Sequence, residues 1–251
     1  MAGAAAKKRR TGMKKEILER LSNGAAELGI DLQDKHLQRF SLYGDFLIEY
    51  NDKVNLTALT DEEEVMEKHF IDSLSVLQMV HLRPSMSVID IGTGAGFPGV
   101  PLLIMEPNLQ LTLLDSLRKR LDFLQELLAR LELTATLVHQ RAEDGAHNAL
   151  YRERYDLAVA RAVASLPVLL EYCLPYVRTG GRFVAMKGPS LTEELADSQK
   201  ALQVLGGKAE RDCCFLLPYS EQERRLLSVK KIRQTPIKYP RGAGSVKNKP
   251  L

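Results

Sequence analysis

The chain is 251 residues long, 45% hydrophobic and 27% charged, an ordinary balance for one globular domain or one domain with a helical appendage. No run reaches the roughly 18 apolar residues of a membrane span and no apolar core marks a secretory leader, which points to the cytoplasm and to no membrane partner. Cys173, Cys213 and Cys214, like His36, His69, His81, His139 and His147, lack metal-ligand spacing, so the cysteines read as reduced thiols and no metal is expected.

A net charge of +3 hides an uneven distribution. Residues 1–20 carry seven basic and two acidic side chains, and residues 224–251 carry nine basic and no acidic ones. The body between them, residues 21–223, holds 19 basic against 30 acidic side chains, a net of −11. Basic ends on an acidic body suit a protein that grips a polyanion, although solubility alone also favours charged termini. Lys7 to Arg10 follow an alanine-rich start, so residues 1–12 are expected to be a basic, disordered leader ahead of a natural start at Met13.

From Met13 to Leu82 the pattern is helical. Ile17, Leu21, Ala25 and Leu28 recur at helix spacing, as do Leu37, Phe40, Tyr43, Phe46, Leu47 and Tyr50. Asn51 to Thr60 is a polar connection containing NLTALT, and Thr60 is placed to cap a helix whose first turn, Asp61 to Glu64, is acidic. A further helical run from His69 to Leu82 ends before Pro84. Residues 13–82 therefore form an expected helical segment packed on whatever follows.

After Pro84 the period changes. Strand-like runs at Ser87–Ile91, Gln110–Asp115, Thr134–His139, Asp156–Ala160 and Arg182–Lys187 alternate with helical stretches, the clearest being Leu117 to Leu131. That alternation predicts an α/β domain over residues 83–235, a parallel sheet with helices on both faces. Cys213–Leu217 and Arg225–Ile232 are expected to pair as an antiparallel hairpin at the sheet edge, and the basic tail, residues 236–251, reads as irregular.

The first strand breaks into the run SVIDIGTGAGFPG, with Asp90 followed by Gly92, Gly94 and Gly96. Glycines let backbone N–H groups approach a ligand closely. Gly94, Gly96 and Gly99, with Asp115 further on, also fit a dinucleotide fingerprint, though Pro98 falls inside it. The other reading is an S-adenosylmethionine turn on Asp90, Gly92, Gly94 and Gly96, with Asp115 accepting from the ribose hydroxyls. The third strand leads into Gln140-Arg141-Ala142-Glu143-Asp144, an acidic turn able to meet an adenine amino group or to be a plain exposed loop. The fourth and fifth strands bring Arg161 and Lys187 to the same carboxyl edge, where open α/β sheets bind ligands. A structural ion pair is the other use of such an arginine.

Absent motifs narrow the chemistry. After the fourth strand the chain has Arg161-Ala162-Val163-Ala164 in place of the [N/D]-P-P-[Y/F] motif of exocyclic amine methylation, and Cys173 lies within the following helix. An acceptor that needs no proton removed and no covalent activation fits, and guanine N7 is one. Its lone pair requires in-line placement in a dry site more than a general base.

The strings NLTALT, KHFIDSL, DIGTGAGFPGVPL, RAED, YDLAVARAVASL, GGRFVAMKG and KYPRGAG…KPL follow in this order. Together, from about Ile17 to Leu251, they resemble the bacterial small-subunit ribosomal RNA guanine-N7 methyltransferase family, also called glucose-inhibited division protein B. The resemblance implies a Rossmann-like class I S-adenosylmethionine-dependent methyltransferase sheet with an N-terminal helical extension. It also implies N7 methylation of one guanine in the decoding-region loop of 16S rRNA, on the small ribosomal subunit or an assembly intermediate. By position it implies cofactor contacts from Gly92 through Phe97, Ala142 and Glu143 beside the adenine, and Arg161 near the methionine end or the incoming base. Arg161 and Lys187 would position the reactants, and Lys187, Lys238 and Arg241 would face RNA. The chain departs from the family pattern at Asp144-Gly145 and in a less basic tail, GAGSVKNKP. A NAD-dependent oxidoreductase on the same sheet and a non-catalytic ribosome-binding module are the competing functions.

Overall fold

The computed structural model describes residues 12–251 except 52, 60, 162 and 163. The expected leader therefore lies, apart from Gly12, outside the described residues, as does Thr60. Two amphipathic helices open the fold, α1 (Lys15–Glu27) and α2 (Asp34–Asn51). One face of each is buried, with Ile17, Leu21, Phe40, Tyr43 and Leu47 among its residues. The connection after α2 is organised by Asn51, whose side-chain oxygen accepts from the backbone N–H groups of Leu56 and Thr57 at 2.6 and 2.9 Å.

Next comes one continuous helical run with changing pitch. It comprises α3 (Glu62–Val65), a π-helical stretch at Met66–Ile71, α4 (Asp72–Leu74) and a 3₁₀ turn at Ser75–Gln78. Its N-cap is Asp61, whose carboxylate accepts from Glu63 N–H at 2.8 Å. The expected helix at His69–Leu82 thus starts seven residues earlier and stops at Gln78. The change in pitch hides the start, because a π stretch shifts the apolar period.

The sheet follows: β1 (Ser87–Ile91), α5 (Gly99–Met105), β2 (Gln110–Asp115), α6 (Arg118–Leu131), β3 (Thr136–His139), α7 (Ala142–Gly145), β4 (Tyr155–Arg161), α8 (Leu166–Cys173), β5 (Val177–Lys187), α9 (Leu191–Asp197), α10 (Gln199–Leu205), β6 (Gly207–Leu216) and β7 (Glu223–Lys231). Strand order is β3-β2-β1-β4-β5-β7-β6. The first five strands are parallel, and β7 runs antiparallel to both β5 and β6. The hairpin is present but longer than expected, and its second strand sits inside, leaving β6 at the edge. Leu117 precedes α6 as its N-cap and is 42% exposed, so the buried stripe of that helix begins at Leu121. The tail is not wholly irregular: a short helix, α11 (Ala243–Asn248), closes the chain with Val246 fully buried.

Successive strand residues point to opposite faces, and each face has its own core. Val88, Leu113, Leu157, Val159 and Val184 pack with α1, α2, the helical run, α5 and α6. Ile89, Ile91, Ala158, Ala160 and Phe183 pack with α8 and α10. The N-terminal helices therefore share one core with the sheet, as a layer over one face. From β1 the chain moves outward to β2 and β3, then returns to β4 on the other side. The resulting switch point, at the carboxyl ends of β1 and β4, is where such sheets form a crevice.

Candidate active site

A cleft of about 460 Å³ lies at that switch point. Its floor is the loop from Gly92 to Phe97, in which Gly92, Gly94 and Gly96 have φ of 73°, 61° and 103°. Non-glycine residues rarely adopt such values. The three glycines do different work. Gly92 and Gly94 line the cleft, and a Cβ on Gly94 would meet nothing closer than the Gly92 carbonyl at 4.0 Å. Gly96 does not line it; a Cβ there would meet the Tyr43 hydroxyl at 2.7 Å, Val100 at 2.8 Å and Leu124 at 2.9 Å. The loop is pressed against the helical layer. Tyr43 donates its hydroxyl to the Ala95 carbonyl and stacks on Phe97 with ring centroids 5.1 Å apart.

Asp90 is placed differently from the expectation. It is fully buried beneath the loop and does not line the cleft, and one carboxylate oxygen accepts from Thr93 Oγ1 at 2.7 Å and from Gly99 N–H at 2.8 Å. Burial pushes its carboxyl up to about 6, against the hydrogen bonds from Thr93 and Gly99. Gly99 N–H belongs to the first turn of α5, the position a dinucleotide pyrophosphate would need. A buried acidic side chain already takes that donor, so the arrangement disfavours a pyrophosphate there.

Asp115 lines the cleft at the end of β2, only 1% exposed. Its oxygens accept from Gly94 N–H and Leu117 N–H, both at 2.9 Å, and from Arg120 at 3.1 Å. At the other end, Gln140, Arg141, Ala142, Glu143 and Tyr172 form the wall. Gln140 Oε1 is buried with no hydrogen-bond partner, an open acceptor that a ligand amino group could satisfy. Glu143 is 9% exposed, and its carboxylate has Arg141 at 3.9 Å. Open backbone at Gly94 and buried acceptors at the far wall fit a ligand with an amino-acid end and an adenine end.

Beside the cleft lies a second cavity of about 400 Å³, lined by Leu59, Lys68, His69, Asp72, Arg161, Met186, Lys187, Gly188, Ser190 and Arg224. His69 and Arg161 line both cavities. Arg161 donates to the Lys68 carbonyl at 2.9 Å and to Asp72 at 3.2 Å, and its other terminal nitrogen lies 2.9 Å from His69 Nδ1. An arginine only donates, so Nδ1 accepts and Nε2 carries the proton, which goes to Thr57 Oγ1 at 2.9 Å. Burial, and then the Arg161 charge, push His69 down to about 3. It is a neutral ring, stacked on Phe97 at 4.4 Å between centroids. Asp72 also accepts from Arg224 at 3.1 Å. Lys187 donates to the Ala164 carbonyl at 2.9 Å and pairs with Glu194 at 2.8 Å.

Of the expected residues, Gly92, Gly94, Phe97, Asp115, Ala142, Glu143 and Arg161 meet at the cleft, and Lys187 at the adjoining cavity. Asp90 and Gly96 act from beneath the loop. Arg241 departs from its expected RNA-facing place, because its guanidinium is clamped on Glu171 at 2.7 and 2.8 Å. Lys238 is exposed, with its ammonium 5.3 Å from the Tyr239 ring centre. Sequence reasoning passed over Thr57, His69, Asp72, Arg224 and Lys247. The strings NLTALT and KHFIDSL hold the first three, but no local pattern says that they face β4. Among the described residues no helix could cross a membrane and no cluster could hold a metal ion.

The glucose-inhibited division protein B family model, described as rRNA small subunit methyltransferase G, matches residues 36–223. A protein of that name from Alkaliphilus metalliredigens is 52% identical over 232 residues, which cover 92% of this chain and 97% of the relative. Another, from Thermoanaerobacter sp., is 47% identical over 240 residues, covering 95% and 100%. Among solved structures, TrmN from Thermus thermophilus gives a TM-score of 0.50 at 17% identity, covering 66% of this chain and 53% of that one. The YcgJ protein from Bacillus subtilis gives 0.50 at 12%, covering 66% and 100%. These likenesses and the strand order mark an α/β, Rossmann-like sheet of the class I methyltransferase kind. With a model match over most of its length and relatives near half identity, the chain belongs to the rRNA small subunit methyltransferase G family.

Proposed function

We propose that this chain methylates N7 of a guanine in 16S rRNA, with S-adenosylmethionine in the larger cleft and the guanine in the adjoining cavity. The observation that carries the reading is the shared wall: His69 and Arg161 border both cavities, so a donor in one and an acceptor in the other meet across them. Gly92 to Ala95 present backbone to the amino-acid end of the cofactor, and Phe97 and Arg161 bound the methionine side. Asp115 meets the ribose hydroxyls once Arg120, its side-chain partner, swings aside. Ala142, Glu143 and Gln140 receive the adenine.

The bound cofactor supplies an electrophilic methyl group. The guanine N7 lone pair forms the new N–CH₃ bond as the S–CH₃ bond breaks, and the bonding pair stays on sulfur. No proton moves, so the site needs no base, and the neutral His69 ring is consistent with that. A positive charge leaves sulfur and appears on the purine a few ångströms away. The site must tolerate a cation throughout, which the Asp72 carboxylate, shared between Arg161 and Arg224, helps to do. Arg161, Lys187 and Arg224 hold the guanine O6 and nearby phosphates. The guanine must leave its stack to reach the cavity, which single-stranded or looped RNA makes inexpensive. Lys238 adds a phosphate contact outside the cavity. The protein acts in the cytoplasm on the small subunit or an assembly intermediate, as a methyltransferase domain over residues 83–235 with its helical layer over 13–82.

Incubation with methyl-labelled S-adenosylmethionine and small-subunit RNA lacking the modification tests this. Label at one alkali-labile N7 site is the expected result. Label confined to amines or ribose would overturn the acceptor, and no label on RNA would leave the ribosome-binding reading.

A further inference from the structure

The C-terminal segment follows a pinned path from the buried end of β7 to the rim of the cofactor cleft. Thr235 N–H donates to Glu153 at 2.8 Å, and the Arg152 guanidinium donates to the carbonyls of Thr235 at 2.8 Å and Tyr239 at 2.9 Å. His147 Nε2 then lies 2.7 Å from the Pro240 carbonyl. The strongest tie comes next: Glu171 of α8, 0% exposed, accepts from the Arg241 backbone N–H and from two guanidinium nitrogens, at 2.7 to 2.8 Å. Two residues later α11 begins, plugged into the second core by Val246 and packed on α8. That docking brings Ala243 and Lys247 to the wall of the larger cleft that also holds Tyr172 and the turn from Gln140 to Glu143.

A buried ion pair adds little net stability, since desolvation offsets most of the attraction. What the Arg241–Glu171 pair does contribute is position, fixing the strap two residues before the helix that reaches the cleft. A tail used only to grip RNA would need neither the buried anchor nor a helix turned toward the cofactor. We propose that the C-terminal strap is a working wall of the cofactor cleft, with Lys247 a binding residue for the adenosine end of the methyl donor and the Arg241–Glu171 pair its positioning device. The inference rests on the cofactor reading above. Lys247 offers an ammonium donor to purine nitrogens and ribose oxygens, and a methylene stem to lie along the ring.

The test is calorimetric titration of the full chain with S-adenosylhomocysteine and with 5′-methylthioadenosine, which lacks the amino-acid half. Lys247→Ala should weaken both ligands by the same factor, about fivefold for one lost hydrogen bond, with an unchanged melting temperature. Converting both members of the anchor, Arg241→Met with Glu171→Leu, avoids stranding a buried charge. It should weaken both ligands similarly, and adding Lys247→Ala to it should cost little more, since the two act through one contact. Unchanged ligand affinity in Lys247→Ala, with weaker and less salt-dependent RNA binding, would overturn the inference and return the tail to RNA. Loss for S-adenosylhomocysteine alone would also overturn it, by moving Lys247 to the amino-acid end. Wild-type protein that binds neither ligand would instead sink the cofactor reading itself.

Discussion

The two long walls of the cofactor cleft are built by different physics. The glycine-loop wall is local: within about ten residues, β1 ends, three positive-φ glycines turn the chain, and Asp90 ties the loop to the start of α5. The wall that abuts it at Phe97 is assembled at long range. It takes Thr57 from the connection after α2, His69 from the helical run and Arg161 from β4, some 90 positions after His69. The first wall is backbone, and its failures should be failures of shape. The second is a side-chain network, and its failures should be failures of placement.

Glycine substitutions give the largest expected effects and separate two jobs within one loop. Gly96→Ala puts a Cβ within 3 Å of Tyr43, Val100 and Leu124 at a φ of 103°. Overpacking and backbone strain together should cost about 3 kcal/mol, read as a large drop in melting temperature. Gly94→Val faces open cleft, so it carries the backbone strain of a φ of 61° without the overpacking that Gly96→Ala adds. It should lose S-adenosylhomocysteine binding while melting nearer to wild type. Equal destabilisation by both would mean that the loop is one structural unit with no ligand-facing side.

Arg161→Ala tests the other wall and should fall next in size. Asp72 keeps Arg224 as a partner when Arg161 is removed, so the fold should lose little. His69 and Phe97 lose their brace, and misplacement of that order typically costs about 100-fold in turnover. Arg161→Lys should not rescue it, because a single ammonium cannot reach the Lys68 carbonyl, Asp72 and His69 together. A melting temperature that falls in step with turnover would make Arg161 a structural ion pair only.

This contrast explains what was legible in the sequence. The glycine run, Asp115 and the strand ends are written in local alternation and turn chemistry, so the sheet and one wall of the cleft follow from reading along the chain. Asp90 shows the limit even there: its place on the loop is local, but whether it faces ligand or core depends on Gly99 folding back onto it. The π stretch at Met66–Ile71 blurs the period that would announce His69, and nothing near His69 says that β4 will deliver Arg161. The tail is the extreme case. Arg241 reads as a free basic residue until α8 supplies Glu171.

The walls should also titrate in opposite senses. Asp90, raised from 3.8 to about 6, binds its proton more readily in the folded state. Its contribution to stability is therefore present at low pH and is lost as pH rises from about 4 through 6, by roughly 3 kcal/mol at most. His69, lowered from 6.5 to about 3, is held neutral. Its contribution is complete above 6.5 and is lost as pH falls toward 3. Stability profiles of Asp90→Asn and His69→Asn against wild type should diverge in these opposite directions. Burial keeps both groups neutral, and the senses differ because one is an acid and the other a base. Parallel profiles would therefore mean that burial does not hold one of them neutral. Turnover should show no inflection from His69 between about pH 6 and 8.

The smallest expected effect lies where the walls meet the ribose end. Arg120 contacts Asp115 at 3.1 Å but is one-third exposed, whereas the carboxylate also accepts from two backbone N–H groups. An exposed partner of this kind contributes less than about 1 kcal/mol after solvent screening. Removing it frees lone pairs on Asp115 that ribose hydroxyls need, without leaving the carboxylate unsatisfied. Arg120→Ala should therefore keep its melting temperature and bind S-adenosylhomocysteine about twofold more tightly, a gain smaller than one ordinary hydrogen bond. Weaker binding would assign Arg120 to the ligand directly, and would make the ribose end a side-chain wall like the one around Arg161.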